Sequence, residues 1–160
     1  MSRMRDHQTW LQLSIDDRRR AEKIVAALHE LGCDEPQSWA ESEISENIPQ
    51  LARYRFLHTV WPQMIDSWRD GIDNIPAARR VVDSGAGADD VTQLARAVAY
   101  ETVFAMLCHL EDGESAGALP GWALNEVGAA GHPTGRRLGT LHEDLLTLDP
   151  SGQDGQDLWT

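Results

Sequence analysis

The residues able to do chemistry are scattered along this chain. His142, Glu143 and Asp144 stand side by side in LHED, shortly after the pair Arg136 and Arg137. An imidazole beside two carboxylates could move protons. Thr140 stands three residues before Glu143, which is the T-x-x-E spacing of a capping box. Acids in a first helical turn also complement the helix dipole. A capped helix start therefore accounts for the trio, and no catalytic residue is assigned. Arg136 and Arg137 are the only basic residues after Leu110. One is expected to pair with a carboxylate and tie its segment down; an anion contact is the rival.

Two further residues could act between helices. Glu101 lies in VAYETVFAMLC, with small residues Ala97 and Ala105 four positions to either side. A carboxylate buried there would need a partner or a raised pKa. Arg55, Arg69 and His58 are the candidates. His58 follows Tyr54 by four residues and precedes Trp61 by three, on an apolar stripe. If His58 and Glu101 meet, they form a polar pocket ringed by Trp61 and Trp68, fit for a small molecule. The plainer reading is a satisfied core histidine and a structural salt bridge, or an edge position reaching water.

Other chemistries lack their residues. SGAGADD is a glycine-rich loop before a helix, but it is not G-x-x-x-x-G-K-[ST], and Asp89 and Asp90 would repel phosphate. The six histidines form no H-E-x-x-H, so no metal is expected. DPSGQDGQD carries oxygen donors without the order of a calcium loop. G-x-S-x-G is absent, as is a Cys-His signature, and no cofactor is expected.

The elements that position these residues are mostly helical. SIDDRRRAEKIVAALHELG opens on a Ser14 cap, repeats Ala21, Ile24, Val25, Leu28 and Leu31, and closes on Gly32. DEPQSWAESE starts a short helix at its proline. The next stripe is Tyr54, Leu57, Trp61, Met64, Ile65, Trp68 and Ile72, and Pro62 inside it predicts a kink near His58. NIPAARRVVDSG predicts a short helix. DDVTQLARAVAYETVFAMLCHLEDG predicts the longest one, apolar on nearly all sides from Ala97, the pattern of a central, buried helix. The pattern then changes. WALNEV alternates, GAAGHPTG turns, and RRL returns, which predicts a β-hairpin over 121–139. A short helix over 141–148 and a mobile acidic tail over 150–160 follow. The fold class expected is mainly α, a bundle of four or five helices with a small C-terminal β-hairpin and a last short helix, forming a single helical domain over 1–160.

Composition bounds the function. Net charge is −12, and from Glu111 onward nine acidic residues face two basic ones. Such a chain repels phosphate backbones and anionic lipid, so neither nucleic acid nor membrane is an expected partner. No apolar run approaches the roughly 18 residues of a membrane span. The N-terminus lacks the apolar core of a secretory signal, and Cys33 and Cys108 make no disulfide framework, so a cytoplasmic protein is expected. Of the six tryptophans, Trp39, Trp61, Trp68 and Trp122 are expected in the core. Trp10 and Trp159 lie near the ends, where an aromatic anchors the chain or awaits a partner.

The stretch GWALNEV…GHPTGRRLGTLHEDLLTLDPSG resembles the C-terminal signature of a family of small, uncharacterised bacterial proteins. The resemblance covers about thirty residues and implies no activity. The first functional expectation is a non-enzymatic, acidic interaction protein of a bacterium. Its contact surface would include Trp122, Arg136, Arg137, His142 and Glu143. Its partner would be a basic protein, in the specific case a toxin blocked by an immunity-type inhibitor; a homodimer is the other option. The alternative is a small enzyme or ligand-binding protein with its site at His58, Glu101, Trp61 and Trp68.

Overall fold

The computed structural model describes residues 13–160, so Trp10 lies outside the described residues. The protein is mainly helical, with a small antiparallel hairpin and a 3-10 turn near its C-terminus. The first helix, α1 (Ile15–Glu30), starts where Ser14 Oγ accepts the Asp17 amide at 3.1 Å. It buries Ala21, Ile24 and Leu28. Gly32, at φ +80°, ends it, and the Cys33 amide returns to the Leu28 carbonyl at 3.0 Å. That left-handed step suits glycine, and the returning bond satisfies a terminal carbonyl.

Helix α2 (Pro36–Glu46) has proline in its first turn and buries Pro36, Ala40 and Glu43. Helix α3 (Gln50–Leu57) follows Pro49. Where a kink near His58 was expected, the α-helix ends at Leu57: Pro62, without an N–H, cannot continue the α ladder from the His58 carbonyl. The chain answers with a π turn, Trp61–Ile65, in which the Asp66 amide reaches the Trp61 carbonyl at 2.7 Å. The wider turn re-phases the stripe, sending Ile65 inward and leaving Met64 half exposed. Helix α4 (Trp68–Gly71), a 3-10 turn (Ile72–Asn74) and α5 (Pro76–Asp83) lead to α6 (Ala88–Glu111), the longest helix described.

Strands β1 (Asn125–Val127) and β2 (Pro133–Arg137) pair antiparallel, with Asn125 opposite Arg137 and Val127 opposite Pro133. The register slips between those pairs, and Gly135 at φ +85° sits in the slipped stretch. A left-handed glycine within a strand is the usual mark of a bulge. Residues 141–148 form successive turns, where a helix was expected. Thr140 stands at φ +53°, outside the conformation of a capping-box residue. The Leu145 carbonyl, which a helix would use internally, instead accepts the Trp61 indole N–H at 2.7 Å. Residues 150–160, expected to trail as a tail, carry a 3-10 turn (Gln156–Leu158) with Leu158 buried.

The described chain gathers into two compact units. One runs to Arg55 and takes in Asn125–Leu138; the other comprises Phe56–Leu124 and Gly139–Thr160. In the first unit, the Trp39 ring meets Tyr54 edge-on at 5.3 Å, and Tyr54 hydrogen-bonds Cys33. Glu43 is its buried electrostatic centre. Its Oε1 accepts Arg20 Nη2 at 3.1 Å and Arg136 Nη1 at 3.0 Å, and its Oε2 accepts the Leu51 amide at 2.9 Å. Arg136 also grips Glu126 with two donors, at 2.9 and 2.6 Å, so the hairpin is tied to α2 through one guanidinium.

The second unit packs around Trp61, whose ring lies 6.0 Å from that of Tyr100. A charged clamp holds its C-terminal segment. Arg96, almost fully buried, donates from Nε to Asp66 Oδ1 at 2.9 Å, and its Nη2 lies 2.7 Å from Asp66 and 2.9 Å from Asp157. Arg69 bridges the same two carboxylates from the solvent side, at 3.0 and 3.1 Å. Asp149 orders the turn between, accepting the Ser151 amide and hydroxyl and the Gly155 amide.

Candidate functional site

Helix α6 begins after Gly87, with Asp89 and Asp90 in its first turn. Its inward side carries Arg96, Ala97, Tyr100 and Leu107. At about 100° per residue, Leu94, Val98, Thr102, Ala105, Met106 and His109 fall on the opposite side. All six are exposed: Leu94 by 65%, Val98 by 57% and Met106 by 54%. The sequence predicts a central, buried helix here, and the structure corrects this: one side packs and the other is bare. The bare side runs about 23 Å from Leu94 to His109 at 1.5 Å per residue. Its one ionisable acid between Asp90 and His109 is Glu101.

Trp122 extends this face. Its indole N–H donates to the His109 carbonyl at 3.1 Å, and its ring lies 5.1 Å from the imidazole of His109. Two glycines permit the approach. A Cβ on Gly121 would stand 2.2 Å from the Gly113 carbonyl oxygen, and one on Gly113 would stand 2.4 Å from the Trp122 ring. The Trp122 amide closes the loop on the Gly113 carbonyl at 2.8 Å. Trp122, expected in the core, is nearly half exposed. Its large amphipathic ring is thus fixed by its own N–H at the end of the apolar strip.

The residues expected to line a polar pocket between helices are placed otherwise. Trp61 is fully buried, with its N–H taken up by Leu145. The α6 residue whose ring meets it is Tyr100, while Glu101 is exposed. Glu101 is thus an edge residue reaching water, the plainer of its two readings, because one step along the helix turns its side chain about 100° from that of Tyr100. His58 and Trp68 are half-buried in the same unit.

The residues expected as a C-terminal contact divide between the units. Arg136 is an ion-pair residue in the first, and Arg137 beside it is exposed. In the second, His142 Nδ1 lies 3.0 Å from Glu111 Oε2, its ring edge against Phe104, while Glu111 Oε1 accepts the Thr140 amide at 3.0 Å. Glu143 is exposed in the turn.

Burial raises the pKa of Cys33, partly offset by hydrogen bonds from its neighbours. Burial, with the adjacent Cys33, pushes Tyr54 up to about 12. Burial works against ionised Asp149, but its hydrogen bonds from Ser151 and Gly155 prevail and hold the carboxyl below its ordinary value. None of these groups is an activated nucleophile. Among the described residues no group of three or more His, Cys, Asp or Glu could hold a metal ion, and no described helix is long and apolar enough to cross a membrane.

Sequence reasoning missed Leu94, Val98, Ala105 and Met106 because they look like core residues. The signal that could have found them is arithmetic: a helix apolar on all sides needs neighbours on all sides. It also missed Glu43, whose place seven residues after Pro36 and three after Ala40 puts it on the buried stripe. Comparison with known proteins finds no matching family model, no matching curated protein and no matching solved structure.

Proposed function

We propose that this is a non-enzymatic interaction protein whose contact surface is the bare side of α6, ending at Trp122. The observation that carries the reading is the row Leu94, Val98 and Met106, each more than half exposed on the longest helix described. Scattered apolar residues on a surface are ordinary, but a continuous row on one helix marks a place where another surface sits. Helices with such a row bind partners through residues spaced i, i+4, i+7. The immunity-type inhibitor is one form this function takes: it needs a rigid face and complementary charge, and no reacting group.

The test uses a photoreactive residue at position 98 in the producing cell, with the exposed position 22 of α1 as control. A discrete adduct at 98 supports the reading if the captured protein, purified, binds the purified chain and Val98→Glu abolishes that binding. If positions 94, 98 and 106 yield only the adducts of position 22, the reading fails.

A further inference from the structure

The bare side of α6 also carries information about what covers it. From Ala88 to Glu111 the helix has four acidic residues, Asp89, Asp90, Glu101 and Glu111, and one basic residue, Arg96. Arg96 is turned inward and held by Asp66 and Asp157. The outward side therefore has no arginine or lysine of its own. Asp89 and Asp90 stand exposed at one end of the strip, Glu101 at its middle, and Asp112 and Glu114 exposed beyond the other end, near Trp122. On its own helix the outward strip carries one sign of charge, and such a strip favours a partner of the opposite sign.

A second copy of this chain meets the strip poorly. Two copies of one helix face pair symmetrically about the middle of the strip. The middle of the run from Leu94 to His109 falls beside Glu101, so a symmetric pair would bring two Glu101 carboxylates together. Each copy would also carry a net charge of −12 into the contact. Like charges placed opposite one another at an interface count against the pairing.

Resting on the interaction reading above, we infer that the partner is a basic protein presenting an amphipathic helix, its apolar ridge flanked by lysine or arginine. The ridge lies along Leu94, Val98, Ala105 and Met106, with an end against Trp122. Its cations lie over Glu101 and the acidic ends. Such a helix matches the strip in length: about 23 Å is some fifteen residues of helix.

The probes are two synthetic helical peptides of eighteen residues with the same leucine spacing, one with lysine at every polar position and one with glutamate. The full chain is titrated with each and binding is followed by calorimetry. The lysine peptide should bind and the glutamate peptide should not. Val98→Glu should weaken the lysine peptide by about tenfold or more, although it adds a negative charge, because the new carboxylate would be buried under leucine. Glu101→Lys should weaken it by about three- to tenfold, while Glu22→Lys, the same charge change on exposed α1, should leave it within twofold. The inference is overturned if the two peptides bind alike, or if Val98→Glu leaves the lysine peptide unaffected. It is also overturned if sedimentation shows a dimer of the chain that Val98→Glu dissociates, because the strip would then be covered by a second copy. That last outcome leaves the interaction reading standing, whereas failure of the photoreactive test removes both.

Discussion

Replacing Arg96 with methionine tests the clamp that closes the second unit. Methionine keeps much of the aliphatic stem and removes the guanidinium. Asp66 and Asp157 then share only Arg69, whose side chain is half exposed. Removing one partner of a buried ion pair costs about 3–5 kcal/mol. Both aspartates keep 19% of their side-chain surface and Arg69 remains, so the expected loss is smaller, about 2–3 kcal/mol. For a chain of this size that is a fall in Tm of roughly 5–10 °C. Urea unfolding followed by circular dichroism reads the loss as a lower midpoint. The decisive variant is Arg96→Met with Asp66→Asn and Asp157→Asn. If the cost is stranded charge, removing both carboxylates recovers at least half of it. A loss below about 1 kcal/mol for Arg96→Met, or a triple variant no more stable than the single, would refute the reasoning.

Other outcomes follow from the same geometry. Glu43→Ala should cost about 2–4 kcal/mol in urea unfolding, since it leaves Arg136 Nη1 and the Leu51 amide without their acceptor, whereas Glu22→Ala at an exposed position of α1 should stay within about 0.5 kcal/mol. Ser14→Ala should cost about 1 kcal/mol through loss of the α1 cap, read as a lower urea midpoint. Tyrosinate absorbance should develop late: free tyrosine titrates near 10, whereas both tyrosines are raised, Tyr54 to about 12. Because the unfolded chain ionises first, stability falls as pH rises from about 10, and a native protein titrating at 10 would contradict the burial of both rings. Asp149 works in the opposite direction. Its depressed pKa adds stability above the ordinary carboxylate value, which is lost as pH falls through the folded pKa. Asp149→Asn should therefore be less stable at pH 7 and show a flatter acid limb in a pH series of thermal melts.

The legible parts of the fold were the ones with local causes. Ser14, the Ala21–Ile24–Leu28 spacing and Gly32 define α1 without outside help. Pro62 announced the break in the next helix, and the hairpin announced itself through alternation and glycine. What escaped depended on distant residues. Thr140 and Glu143 have a helix cap's spacing, but Glu111 holds the Thr140 amide and Trp61 holds the Leu145 carbonyl. Asp157 looked like part of a solvated tail because its partners, Arg69 and Arg96, lie 88 and 61 positions earlier in the sequence. The bare side of α6 was misread for the opposite reason: an apolar residue carries no mark saying whether its neighbour belongs to the same chain, and only the count of neighbours such a helix needs hinted at it.

The chain's two units interleave along the sequence, and this sets an order on their completion during synthesis. The first unit waits for Asn125–Leu138, and Arg136 in that stretch neutralises Glu43. Between the emergence of Arg55 and that of Leu138, a ribosome adding about 5–20 residues per second needs roughly 4–17 s. Throughout that interval α1 and α2 exist with a carboxylate whose hairpin counter-ion is still unmade. The second unit waits longer still, for Asp157 and Leu158. Arg96 can pair with Asp66 as soon as it is made, but its second carboxylate, Asp157, follows 61 residues later. A nascent chain therefore presents incompletely paired buried-type charges to its surroundings until Asp157 appears, and products stalled or truncated before it should be prime substrates for chaperones and proteases.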